Sequence, residues 1–239
     1  MDKGTVKDIA FFSDSLQEEM NLLIYIPANY SPLYQYHICI ASDGRDYFQL
    51  GGIARLADQL IDDYEIEQTI FVGVPYRDVK DRARKYIPTG DLFDAYIRFL
   101  AHELVPYLDK EFSTNQLASS RVLMGDSMAG TASLMGVVHY PNIFGKAIMH
   151  SPYVDEHVLE KMEHVKHGDS IFLYHVIGLK EEQVTMKDNQ VKDFLTPNRA
   201  LHDLIVTKRI PTFYEEFNGN HTWTYWKPDL HRALVKIFG

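Results

Sequence analysis

The chain has 239 residues, 46% of them hydrophobic and 13% aromatic, which suits one sizeable globular core with little disorder. A formal net charge of −9 without a long Lys/Arg block argues against a nucleic-acid partner, and no apolar run reaches the ~18 residues of a membrane span. Cys39 is the sole cysteine, so neither an internal disulfide nor a multi-cysteine metal site can form. The segment Met1 to Val6 has no apolar stretch of signal-peptide length, and the cytoplasm is the expected location.

In chain order, Lys7 to Phe12 and Leu22 to Ile26 read as strands joined by Ser13-Asp14-Ser15, without a helix between them. His37 to Ala41 is a more apolar strand, closed by Ser42-Asp43-Gly44, and its apolar character predicts cover on both faces. Leu50 to Tyr64 follows the helical period, and Thr69 to Val74 is a β-branched strand ended by Pro75. The charged stretch from Tyr76 to Pro88 is too long for a tight turn and is expected to be a substrate-facing loop.

Asp91 to Phe112 is helical, with a kink or restart at Pro106, and Arg121 to Met124 is a strand. Met128 to Tyr140 is a helix, Lys146 to His150 a strand, Val154 to Val165 a short charged helix and Ser170 to Ile177 a strand. A polar stretch leads to a helix over Phe194 to Thr207, then a strand over Thr212 to Phe217, a loop over Asn218 to Trp226 and a closing helix over Asp229 to Phe238. Strands alternating with helices from residue 37 onward imply a mostly parallel sheet covered on both faces, with an antiparallel N-terminal edge. No linker or repeat divides the chain, so residues 1–239 are expected to form one α/β domain.

The candidate chemistry lies at strand ends, where loops converge in open α/β sheets. Gly125-Asp126-Ser127-Met128-Ala129-Gly130 places a serine between small residues at a strand-to-helix turn, the way a nucleophilic hydroxyl is presented. A serine is a weak nucleophile until a base takes its proton. Of eleven histidines, His221 is the best placed, in a loop with Gly219 and Asn220 before it and Trp223 and Tyr225 after it. An acid must orient that base, and Glu181 is the first choice because it comes soon after the strand end at Gly178. Glu182 and Asp188 are the alternatives.

The backbone N–H of Met128 and that of Arg45 or Gly44 are the candidate oxyanion donors. His157, His164 and His167 have metal-like spacing, but they lie on a charged, solvated segment, so no metal and no other cofactor is expected.

These blocks resemble the "Putative esterase" family of α/β hydrolases, which holds the enterochelin (ferric-siderophore) esterases and the esterase D-like enzymes. The resemblance covers nearly the whole chain and rests on Asp43 to Phe48, Asp81-Arg82 to Tyr86, Glu103 to Pro106 and the Ser127 elbow. It continues through Pro141, Phe144 and His150-Ser151-Pro152 to Gly219-Asn220-His221-Thr222-Trp223-Thr224-Tyr225-Trp226. It implies an α/β-hydrolase fold and a Ser-acid-His esterase working through an acyl-enzyme, with Ser127 and His221 in the catalytic places. Ala129 stands where the elbow's second glycine is usual, and Asn220 where the family has glycine.

The expected partner is a small ester, siderophore-type or otherwise polar, with Asp43, Arg82, Trp223 and Tyr225 as substrate-binding residues. Arg77, Arg84 and Lys85 join Arg82 as candidate anion contacts. Esterase D-type short-chain acyl or thioester hydrolysis is the alternative, and a non-catalytic binding protein of the same fold is the rival from another class. Aromatic and apolar residues leave a homodimer open.

Overall fold

A computed structural model describes residues 2–166, 168–186 and 189–239. The strands β1 (Thr5–Ser13), β2 (Glu18–Ile26), β3 (His37–Ser42), β4 (Thr69–Val74), β5 (Arg121–Asp126), β6 (Lys146–His150) and β7 (Phe172–Gly178) belong to one sheet. After the short strands β8 (Val184–Thr185) and β9 (Val191–Lys192), which pair only with each other, β10 (Thr212–Phe217) completes it. The eight-stranded order is β1-β2-β4-β3-β5-β6-β7-β10. β1 and β2 pair antiparallel, β2 meets β4 antiparallel, and every pairing from β4 to β10 is parallel. The expected antiparallel edge on a parallel sheet is what the chain forms.

Alternation along each central strand sends side chains to two separate cores. Ile38, Ile40, Val72, Leu123 and Leu173 enter the larger one, while Cys39, Ala41, Phe71, Met124 and Val176 enter the other. The second core is closed by α2 (Ile53–Asp62) through Ile53, Ala57 and Leu60, and by the C-terminal helix through Leu230, Leu234 and Ile237.

Three expectations change in detail. The charged Tyr76 to Pro88 stretch is not an open loop, because Val79–Tyr86 is helical (α3), started by the Asp78 carboxylate accepting the Asp81 N–H at 2.9 Å. Pro106 is met by a wide π turn over Leu100–Leu104 between α4 (Phe93–Phe99) and α5 (Val105–Glu111), a local loosening at a residue that lacks an N–H. After α7 (Glu156–Glu163) and α8 (Leu195–Thr207), the closing helix α9 runs Trp223–Phe238, so Trp223 and Tyr225 stand on its first turn and not on a loop. Among the described residues no helix is long and apolar enough to cross a membrane.

Candidate active site

β5 ends at Asp126, and Ser127 turns the chain into α6 (Met128–His139) with φ 54° and ψ −125°. A non-glycine residue at positive φ is held there only by its surroundings. The Ser127 N–H donates to the His150 carbonyl at 2.9 Å, and the Ser127 carbonyl accepts the Tyr153 N–H at 3.0 Å. A Cβ on Gly125 would collide with the backbone of Ala129, so the tight approach is glycine to backbone. The Ala129 methyl itself packs in the larger core. Gly125→Ala is therefore expected to cost at least ~2 kcal/mol, whereas Ala129→Gly should cost about 1–2 kcal/mol, from helix propensity and one buried methyl; urea-unfolding midpoints with turnover check both.

His221 sits between β10 and α9, and its Nδ1 lies 2.6 Å from Glu181 Oε2. Glu181 is fully buried (0% exposed) just after the end of β7. Its other oxygen, Oε1, accepts the Gly178 N–H at 2.9 Å and the Ser151 hydroxyl at 2.7 Å. Ser151, also fully buried and at φ 48°, in turn accepts the Trp226 indole N–H at 3.1 Å. The His221 ring packs against Phe194 at 4.4 Å and edge-on to Trp226 at 4.9 Å.

Phe194 also meets Tyr153, whose N–H holds the Ser127 carbonyl, so the serine turn and the histidine loop share one packed aromatic layer. Among the described residues no hydrogen bond joins Ser127 Oγ to His221; in free enzymes such contacts are often open and tighten with substrate. Glu182 is exposed, and Asp188 lies outside the described residues.

A buried amide and histidine prop this layer from below. Asn198, on α8 (Leu195–Thr207), donates to the carbonyls of Pro152 and Phe194, both at 2.8 Å. Its Oδ1 must then accept, so His175 Nε2, 2.7 Å away, carries the proton. Burial pushes the His175 pKa down from 6.5 to about 4, with the Asn198 bond opposing it. A folded pKa below the unfolded one contributes stability that is complete above pH 6.5 and is lost as pH falls toward 4. Unfolding in urea is expected to lose about 2–3 kcal/mol between pH 7 and pH 4.5 on this account, and His175→Gln should flatten that slope.

On the other side of Ser127, Asp43 adopts the left-handed conformation (φ 57°) and starts the short helix α1 (Gly44–Asp46). Gly44 touches the Gly73 backbone so closely that no side chain fits there. The first N–H groups of a helix have no acceptor within it, which leaves those of Gly44 and Arg45, and of Met128 on α6, available to a ligand.

Arg82 lashes the two turns together. Its Nε donates to both Asp43 carboxylate oxygens at 2.9 Å, its Nη2 pairs with Asp43 Oδ2, and the same nitrogen reaches the Asp126 carbonyl at 3.3 Å. Burial opposes the guanidinium charge, but Asp43 holds it firmly protonated. Burial, together with the Asp43 charge, pushes the Asp126 carboxyl well above the carboxylate range.

Several predicted substrate contacts are corrected by this geometry. Asp43 is 1% exposed and Arg82 is spent on it, so the pair positions two loops and does not face solvent. Arg77 pairs with Glu18 and Asp81, Lys85 with the same two acids, and Arg84 with Asp91. The expected cluster of anion contacts is thus neutralised by Glu18, Asp43, Asp81 and Asp91. Arg45 is exposed and lines a cleft of ≈270 Å³ with Glu19, Tyr76 and Arg77.

Trp223 packs edge-on against Tyr47 at 4.8 Å, and Tyr225 stacks on Phe217, so both are half-buried supports of the histidine loop. Among the described residues no group of three or more His, Cys, Asp or Glu is arranged to hold a metal ion; His167 lies outside them.

The residues that sequence reasoning passed over are Ser151 and Trp226, quoted only as parts of motifs. The signal was the Ser151-Pro152 punctuation after β6, whose end lies between those of β5 and β7 in the sheet.

Comparison with known proteins agrees with this architecture. "Uncharacterized protein YjcH" of Bacillus subtilis (strain 168) is 50% identical over 234 residues, covering 98% of each chain. The enterobactin esterase FES from Shigella flexneri superposes with a TM-score of 0.85 at 17% identity, over 98% of this chain and 59% of that one. A ferulic acid esterase superposes with a TM-score of 0.81 at 14% identity, over 100% of this chain and 99% of that one. At such identities the likeness is one of fold. The family model described as "Putative esterase" matches residues 13–237, and the chain belongs to that esterase family.

Proposed function

We propose that this esterase-family protein hydrolyses small carboxylic esters through a serine acyl-enzyme, with Ser127 as nucleophile, His221 as base and Glu181 as its orienting acid. The observation that carries this reading is the 2.6 Å contact from His221 Nδ1 to the fully buried Glu181, since a carboxylate bound at one ring nitrogen leaves the other to serve as base.

His221 Nε2 takes the Ser127 proton as Oγ attacks the ester carbonyl carbon. The Met128 N–H and that of Gly44 or Arg45 hold the oxyanion. The imidazolium then protonates the departing alcohol, water enters, and the same steps in reverse roles release the acid. The Arg82 link between the Asp43 turn and the elbow keeps the two sets of donors in fixed register.

A fluorophosphonate probe, with p-nitrophenyl acetate turnover, tests the mechanism. Covalent labelling with matching loss of turnover is expected, and a folded protein that neither labels nor turns over the ester overturns it. A panel of p-nitrophenyl acyl esters, a siderophore trilactone, a feruloyl ester and an acyl thioester sorts the substrate class.

A further inference from the structure

Among the described residues, two groups hold the buried Ser151 hydroxyl, the Trp226 indole and the Glu181 carboxylate. An indole N–H is a donor and nothing else, so at 3.1 Å it occupies a lone pair of Ser151 Oγ. The hydroxyl hydrogen is thereby left for Glu181 Oε1 at 2.7 Å, where the Gly178 N–H also donates at 2.9 Å. With Oε1 held from two sides, the carboxylate has one orientation, and in it Oε2 meets His221 Nδ1.

Ser151 keeps a backbone angle (φ 48°) unusual for a serine, and it is fully buried. A left-handed residue persists only where its surroundings over-determine it. Here the side chain makes two directed bonds and the Ser151 N–H donates to the Val176 carbonyl at 2.8 Å. β6, which delivers Ser151, lies between β5, which delivers Ser127, and β7, which delivers Glu181. Trp226 acts twice, since its ring also walls His221 at 4.9 Å.

We infer that Ser151 is a positioning residue of the esterase reaction, a directional relay from the Trp226 indole that orients Glu181 toward His221. The inference rests on the proposed Ser127–His221–Glu181 mechanism. Loss of the hydroxyl loosens the acid without removing its charge, so an effect on kcat of about tenfold is expected with little change in KM, in line with lost supporting contacts around a site.

The test is a mutant cycle read as kcat, KM and fluorophosphonate labelling rate on the full chain, with melting temperature as a folding check. Ser151→Ala and Trp226→Phe should each lower kcat and the labelling rate, and together cost no more than Ser151→Ala alone. In a Glu181→Ala background, Ser151→Ala should change kcat by less than twofold, because its only route to the reaction is gone. Ser151→Cys, which keeps a weak donor, should fall between serine and alanine.

A Ser151→Ala enzyme with wild-type kcat overturns the inference, and so does an equal loss in the Glu181→Ala background, the mark of a merely structural role. Should Ser151→Ala fail to fold, Trp226→Phe decides, since it removes the relay's donor and keeps an aromatic ring beside His221; wild-type kcat then overturns the inference. Ser127→Ala separates the two levels. If it keeps turnover the mechanism itself falls, whereas its inactivity beside an unaffected Ser151→Ala sinks the relay alone.

Discussion

Ser127→Ala is expected to lower kcat by roughly 10⁵–10⁶-fold and to abolish fluorophosphonate labelling, the size of effect seen when a triad nucleophile is removed. The change deletes one buried oxygen that makes no cap bond to its own helix, so the fold should barely notice. Positive φ is disfavoured for alanine as it is for serine, and the bonds that enforce the turn, Ser127 N–H to His150 and Tyr153 N–H to Ser127, are backbone bonds that survive. Melting temperature within a few degrees of wild type, with turnover gone, is the expected pair of results. Turnover retained within tenfold would mean that another group attacks the ester.

Glu181 carries the second large effect. Glu181→Gln should reduce kcat by about 10⁴-fold, because an amide NH₂ turned toward His221 forces the imidazole into the tautomer that cannot accept the serine proton. Glu181→Ala should be comparably inactive and also less stable by ~1–3 kcal/mol, since the Gly178 N–H and the Ser151 hydroxyl lose a buried acceptor. Glu182→Ala, at an exposed position, is expected to stay within twofold of wild type. Steady-state kinetics on the three variants, with urea unfolding of Glu181→Ala, checks these expectations, and a collapse at Glu182 with Glu181 unaffected would reverse the assignment.

The two cores explain why so much of the fold was legible. β-branched runs at residues 37–41 and 69–74 must pair, and their alternation must fill two opposite faces, so a covered parallel sheet follows from spacing. The π turn before Pro106 and the helix over Val79–Tyr86 were harder to read. In the first a missing N–H is absorbed by a wider turn, and in the second charge density resembled a loop although Asp78 caps a helix. The cationic cluster misled for a related reason. Sequence shows the charges of Arg77, Arg82, Arg84 and Lys85 but not the acids folded against them, Glu18 from β2 and Asp43 from the far end of β3 among them.

By itself the sequence determined which residues stand at turns, since small residues about Ser127 and glycine and asparagine before His221 are local requirements of backbone geometry. It also ranked Glu181 ahead of Glu182 and Asp188 as the candidate acid, because it follows the strand end at Gly178 most directly. What only the tertiary structure decided is which strand ends are neighbours. The order β5-β6-β7-β10 sets Ser127, Ser151, Glu181 and His221 just beyond the ends of consecutive strands, although the chain separates the first from the last by most of its C-terminal half. That order is a consequence of packing between distant segments. Burial, which distinguishes the fully enclosed Glu181 from the exposed Glu182 one residue on, is a property of the same packing and of no local pattern.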